Sequence, residues 1–203
     1  MANRGRPDDG SVRALRRAIA IVALANLAYF GVEFAVALRI GSVSLFADSV
    51  DFLEDAAVNV LILMALGWSA RNRARVGMAL AAILLVPALA TLLTAWGKLD
   101  MPLVPEPLPL TLTGVGALLV NLSCALLLTR FRQHSGSLTT AAFHSARNDA
   151  IANLAIIAAG LVTGLLWHSV WPDLAVGLGI AAMNADAARA VWSAAREEHR
   201  AAA

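Results

Sequence analysis

Six long apolar runs separated by short polar stretches limit this chain more than anything else in it. They cover about 15–39, 44–68, 76–97, 108–130, 139–167 and 174–194. A bilayer's hydrocarbon core is about 30 Å thick, and a helix needs roughly 20 apolar residues to cross it. Backbone polar groups left unpaired in lipid are costly, so runs of this length predict helices rather than open strands. Hydrophobic residues fill 59% of the 203 positions, against about 45–50% in an ordinary soluble domain. The expected fold is an all-α membrane protein of six transmembrane helices. Residues 15–195 form that domain, with a basic tail at 1–14 and a short tail at 196–203. No room is left for a second folded unit. The first run is too long for a signal-peptide core and no small-residue cleavage site follows it, so it is read as a retained helix.

The positive charge is distributed unevenly. Arg4, Arg6, Arg13, Arg16 and Arg17 precede the first run, and Arg71, Arg73 and Arg75 follow the second. Arg130, Arg132, Arg196 and Arg200 lie on the same side, while only Arg39 and Lys98 mark the opposite helix ends. The positive-inside rule then places both termini in the cytoplasm. This asymmetry accounts for the basic residues, so no nucleic-acid partner is invoked. The expected setting is a lipid bilayer, as a multi-pass protein of the cell membrane, of the bacterial inner-membrane kind. Trp68, Trp96, Trp167, Trp171 and Trp192 fall near helix ends, where indole rings favour the membrane interface. The single cysteine, Cys124, excludes an internal disulfide and a multi-cysteine zinc site.

Against this greasy background the segment ADSVDFLEDAAVNVLILMA, residues 47–65, carries Asp48, Asp51, Glu54 and Asp55. Asp51, Asp55 and Asn59 are spaced i, i+4, i+8, and Asp48 lies seven residues before Asp55. At about 100° per residue these side chains share one helix face, whereas Glu54 points some 100° away from Asp55. Run five repeats the pattern with Ser145, Asp149 and Asn153. DAAVNVLILMA from Asp55 and DAIANLAIIAA from Asp149 both read Asp-Ala-x-x-Asn before an apolar stretch. By the charge rule the two helices run in opposite directions, as an inverted repeat of helices 1–3 and 4–6 would require, and such repeats are typical of transporters.

An Asp at a helix centre costs about 2.5–3.5 kcal/mol on insertion scales, and such residues mark ion or proton pathways. If the two ladders face each other, Asp51, Asp55 and Asp149 converge. Three carboxylates together repel and hold protons. A divalent cation relieves the repulsion and expels the protons, which predicts exchange of metal for H⁺. The structural rival is an ion pair in which Arg147 neutralises one acid. Glu33 is a lone acid in helix 1, a relay or a helix-pairing residue. Asp186 is expected to pair with Arg189, and Asp173 to cap helix 6.

At these residues the chain resembles the cation diffusion facilitator family of divalent-metal/proton antiporters. SVSLFADSVDFLEDA (42–56) is similar to that family's helix 2, and FHSARNDAIANLAII (143–157) to its helix 5. EFAVALRIGSVSLFAD around Glu33 and WPDLAVGLGIAAM (171–183) are similar to the matching family segments. The resemblance implies a tetrahedral metal site built from two residues four apart on each helix. Asp51 and Asp55 match the first pair, and Asp149 matches the Asp of the second. The family's remaining ligand is His, four residues before that Asp. Here that position is Ser145, with His144 one place earlier. With Ser145 the site is all oxygen and suits Mn²⁺, Fe²⁺ or Mg²⁺. With His144 it suits Zn²⁺, Co²⁺ or Cd²⁺. Asp48, Asn59, Asn153 and Glu33 are then supporting or proton-relay residues. The resemblance further implies transport by alternating access, no tightly bound cofactor, a homodimer, and a short form without the family's cytoplasmic domain. Two rival readings share parts of this pattern. A CDP-alcohol phosphatidyltransferase shares the Asp51-x-x-x-Asp55 spacing but needs a preceding Asp-Gly-x-x-Ala-Arg stretch that is absent. A non-transporting scaffold or metal sensor would use the ladders for helix pairing.

Overall fold

The computed structural model describes residues 9–65, 89–129 and 136–201, without the side chains of 9, 11, 12, 65 and 136–147 and of part of the last helix. Among the described residues there are six helical segments and no strand: α1 (Asp9–Ile40), α2 (Val43–Ala65), α3 (89–100), α4 (Pro107–Thr129), α5 (Gly136–Leu165) and α6 (Trp171–Ala201). The expected third run, 76–97, falls partly outside the described residues. Three segments are long and apolar enough to cross a membrane: Arg13–Ile40, Pro107–Thr129 and Asn148–Leu165. The carboxylates of α2 separate it from that group.

The bundle is turned inside out relative to a soluble domain. Ile21, Leu24, Leu27 and Leu38 of α1 and Leu108, Leu112, Leu119 and Leu126 of α4 are exposed. Asn26, Glu33, Asp48, Ser49, Asn153 and Asn184 are buried. Water would favour the reverse arrangement, whereas lipid favours leucine outside and paired polar groups within. The protein is a multi-pass membrane protein. α1 packs most extensively on α2 and α4 on α5, while α6 lies against α2 and α5. The apolar core joins Ala37 and Ile40 of α1, Leu45 and Ala47 of α2, Leu110 of α4, Ala152 and Ile156 of α5, and Ile180 of α6. Its alanines let helix backbones approach closely, which is how helices associate when lipid removes the hydrophobic incentive.

Two residues connect α1 to α2. Gly41 takes a left-handed conformation, φ 64°, and the Ser42 amide donates to Ala37 O at 3.0 Å. That is the Schellman ending of α1, with glycine at the position where a Cβ would be strained. Ser42 then opens α2: its Oγ accepts the Leu45 amide at 3.1 Å, as an N-cap does. Gly177 on α6 permits contact with this same start of α2. A Cβ there would stand 2.7 Å from Val43 Cγ1 and 2.8 Å from Ser44 N.

A buried ion pair ties this end of the bundle together. Asp173 and Lys98 meet at 2.7 Å, with side chains 0% and 4% exposed. Asp173 also accepts the hydroxyls of Ser42 and Ser44 at 2.6 Å each, and the amides of Val43 at 2.9 Å and Ser44 at 3.1 Å. Lys98 donates in addition to Gly41 O. The expectation that Asp173 caps its own helix is corrected here. α6 already begins at Trp171, and the Asp173 carboxylate is spent on the first amides of α2. Asp173 precedes the apolar run beginning at Leu174. Burial alone would raise its pKa. The Lys98 charge, with hydrogen bonds from Lys98, Ser42 and Ser44, outweighs that and holds the carboxyl below its ordinary value. Asp186 and Arg189 do pair, at 3.3 Å, but both side chains are 80% exposed, so the contact contributes little.

Candidate functional site

The acidic face of α2 turns inward, toward α1 and α5. Asp48 is 1% exposed, and Asp51, Glu54 and Asp55 are partly buried. Across from them α5 contributes Asp149 and Asn153. Asn153 is fully buried, and its Nδ2 donates to the Asp48 carboxylate at 3.3 and 3.4 Å. The direct polar link between the two ladders therefore runs through Asp48 and Asn153. Asp149 is an electrostatic neighbour of Asp55, Asp48 and Glu54, and Asp51 of Asp48 and Asp149. Glu54, expected to point away from Asp55, thus still lies within electrostatic reach of Asp149.

The sequence echo has a geometric counterpart. Asn59 Nδ2 donates to Asp55 O at 2.7 Å, and Asn153 Nδ2 donates to Asp149 O at 2.7 Å. In both segments the Asn amide folds back onto the preceding turn and occupies the carbonyl of the ladder aspartate. Back-bonding of this kind competes with regular helix geometry and bends helices.

α1 supplies two further groups. Asn26, 1% exposed, donates to Asp55 Oδ2 at 3.4 Å. Glu33, 0% exposed, faces Asp48. Asn26 was not among the residues expected at the site. Its spacing could have revealed it: it lies seven residues before Glu33, which puts both on one face of α1. From α4 the Cys124 thiol donates to Asn26 Oδ1 at 3.7 Å. From α6, Asn184 Nδ2 donates to Ala47 O at 3.3 Å. Four helices, α1, α4, α5 and α6, thus bring polar groups to α2 or to the side chains that face it.

Among the described residues no three or more His, Cys, Asp or Glu side chains are drawn together tightly enough to hold a metal ion. Asp51, Asp55 and Asp149 are electrostatic neighbours rather than a closed coordination shell. The side chains of His144, Ser145 and Arg147 lie outside the described residues. The arrangement is chemically one-sided: carboxylates and carboxamides, no cationic side chain among the contacts just given, and a low-dielectric surround. Such a region attracts cations and protons.

In comparison with known proteins, a family model described as the cation efflux transmembrane domain matches residues 19–197. No curated protein matches the chain.

Proposed function

The chain belongs to the cation efflux family, and from that premise we propose that it exports a divalent cation in exchange for protons, the cation binding between α2 and α5. Members of the family are divalent-cation transporters and not enzymes, so the phosphatidyltransferase reading falls. Asp51, Asp55 and Asp149 carry the cation in this proposal, with Ser145 or His144 completing its shell. The observation supporting the placement is the junction of α2 and α5 at Asp48 and Asn153, which sets Asp149 beside Asp55 and Asp51.

The transport cycle follows from competition. A metal-free cluster of carboxylates in low dielectric holds protons. An entering dication displaces them and is released when protons return from the far side. Alternating access, with the helix pairs rocking about the site, keeps the two exchanges on opposite faces. The arginine asymmetry supports cytoplasmic termini, and export from the cytoplasm of a bacterial-type cell accords with the family's description as cation efflux. An inverted repeat accords with the matched Asn59 and Asn153 back-bonds, and a homodimer is carried over from the family resemblance alone.

The test is uptake into proteoliposomes with a panel of Zn²⁺, Mn²⁺, Fe²⁺, Co²⁺, Cd²⁺ and Mg²⁺ and an internal pH dye. Asp55→Ala and Asp149→Ala should each abolish exchange. An Asp149→Ala protein that still trades metal for H⁺ removes the assignment. Purified protein that binds no metal at all would favour a scaffold.

A further inference from the structure

The carboxamide of Asn153 is engaged at one end and vacant at the other. The residue is 0% exposed, and among the described residues its Oδ1 meets no hydrogen-bond donor. Its Nδ2 donates to Asp149 O at 2.7 Å and reaches the two Asp48 oxygens at 3.3 and 3.4 Å. A carboxamide nitrogen carries two hydrogens, and a carbonyl and a carboxylate take both. The same partners fix which end is oxygen, because the flipped amide would set an acceptor against acceptors. The oxygen is therefore the end left over.

The polar hydrogens that neighbouring helices bring to this region are committed. Asn26 donates to Asp55, Tyr29 to Thr113 O at 2.6 Å, Cys124 to Asn26 and Asn184 to Ala47 O. The echo between the two ladders is unequal at this point. Asn59 makes the matching 2.7 Å back-bond to Asp55 O, but it is only partly buried. Asn153 alone of the two pairs full burial with an unanswered oxygen.

A buried lone pair with no hydrogen to accept suits a cation. Asn153 lies one helical turn after Asp149, on the same face of α5. We propose that Asn153 Oδ1 is a further ligand of the transported cation and tilts the site toward Mn²⁺ and away from Zn²⁺. The inference rests on the transport reading, which sets the cation beside Asp149. Carbonyl oxygens suit Mn²⁺ and Mg²⁺, which favour octahedral shells of oxygen donors. Zn²⁺ favours tetrahedral shells in which nitrogen or sulfur is common. An amide oxygen enlarges the shell without adding charge. Asp48 and Asp149 O act as positioning groups: by holding the nitrogen they orient the oxygen before the cation arrives.

The test uses the full chain in lipid nanodiscs, with Mn²⁺ and Zn²⁺ titrated separately by calorimetry. Asn153→Leu removes both ends of the amide, whereas Asn153→Asp loses the donor hydrogens and keeps an oxygen. Asn153→Leu should lower Mn²⁺ affinity about 10-fold or more, and Zn²⁺ affinity by a smaller factor. Asn153→Asp should hold the ratio of the two affinities near that of the unaltered protein. A side chain that merely braces α5 against α2 predicts otherwise: both variants lose the same hydrogen bonds, and both ions weaken together. Equal losses of Mn²⁺ and Zn²⁺ in Asn153→Leu overturn the proposal, as does an Asn153→Asp ratio that falls with it. Should Asn153→Leu fail to fold, Asn153→Ala makes the same comparison. If Asp149→Ala abolishes binding while Asn153→Leu leaves the ratio unmoved, the transport reading stands and the added ligand does not. If neither ion binds the unaltered protein, both fall.

Discussion

Replacing Asp173 by alanine is the severest single change available at the α1–α2 end of the bundle. The carboxylate accepts from Lys98, from the hydroxyls of Ser42 and Ser44, and from the amides of Val43 and Ser44. Its removal leaves Lys98, 4% exposed, with Gly41 O as its remaining hydrogen-bond partner, and leaves the first amides of α2 uncapped. Breaking a buried pair from one side costs about 3–5 kcal/mol. Lys98→Met is milder, because Asp173 keeps four hydrogen bonds from the other three residues. About 1.5–3 kcal/mol is expected there, the range for a hydrogen bond to a charged group. The assay is SDS-driven unfolding in mixed micelles followed by far-ultraviolet circular dichroism. The pH dependence has a fixed sign. Because the folded state holds this carboxyl below its ordinary value, its stabilisation is complete above the ordinary carboxylate range. It is lost as pH falls through the folded-state value. The gap between the unaltered protein and Asp173→Ala should be flat near neutrality and close on acidification. A loss under about 1 kcal/mol for Asp173→Ala, or an equal loss for Lys98→Met, refutes the ordering drawn from these contacts.

Two other outcomes follow from particular contacts. Gly177→Ala puts a methyl 2.8 Å from the Ser44 amide and Val43 carbonyl carbon; backbone cannot swing aside, so α6 must back away at about 1–3 kcal/mol, measurable in the same unfolding assay. Asn26→Ala removes the amide facing Asp55 and should weaken Mn²⁺ or Zn²⁺ binding about 10–100-fold, the usual effect of losing a partner that orients a ligand; calorimetric titration showing an unchanged affinity would place the cation away from Asp55.

The helical fold and the inward acids were legible because both are periodic. Apolar runs announce helices, and carboxylates four apart share a face whatever the tertiary structure. What stayed hidden depends on partners far away in the chain. Asp173 lies 130 residues from Val43, and nothing local distinguishes a cap for its own helix from a cap for another. Lys98 reads as a loop-side charge, yet α2, α3 and α6 close over it around Val43, Ala95 and Leu174. The helix-face rule grouped Asp48 with Asp51 and Asp55, but could not say that Asp48 is the one that reaches Asn153. Asn26 had a periodic signal, its register with Glu33, which is easily passed over because an amide in an apolar run draws less notice than an acid.

The thiol of Cys124 offers a ready-made reporter and a warning in one. It is the chain's single cysteine, partly exposed between α1 and α4, so a lipid-permeable maleimide dye has one thiol to reach. That sulfur also leans on Asn26, which leans on Asp55. A fluorophore bonded there would disturb the contact chain whose motion it is meant to follow, and a Cys124→Ser background with the label moved elsewhere is the sounder starting material for spectroscopy.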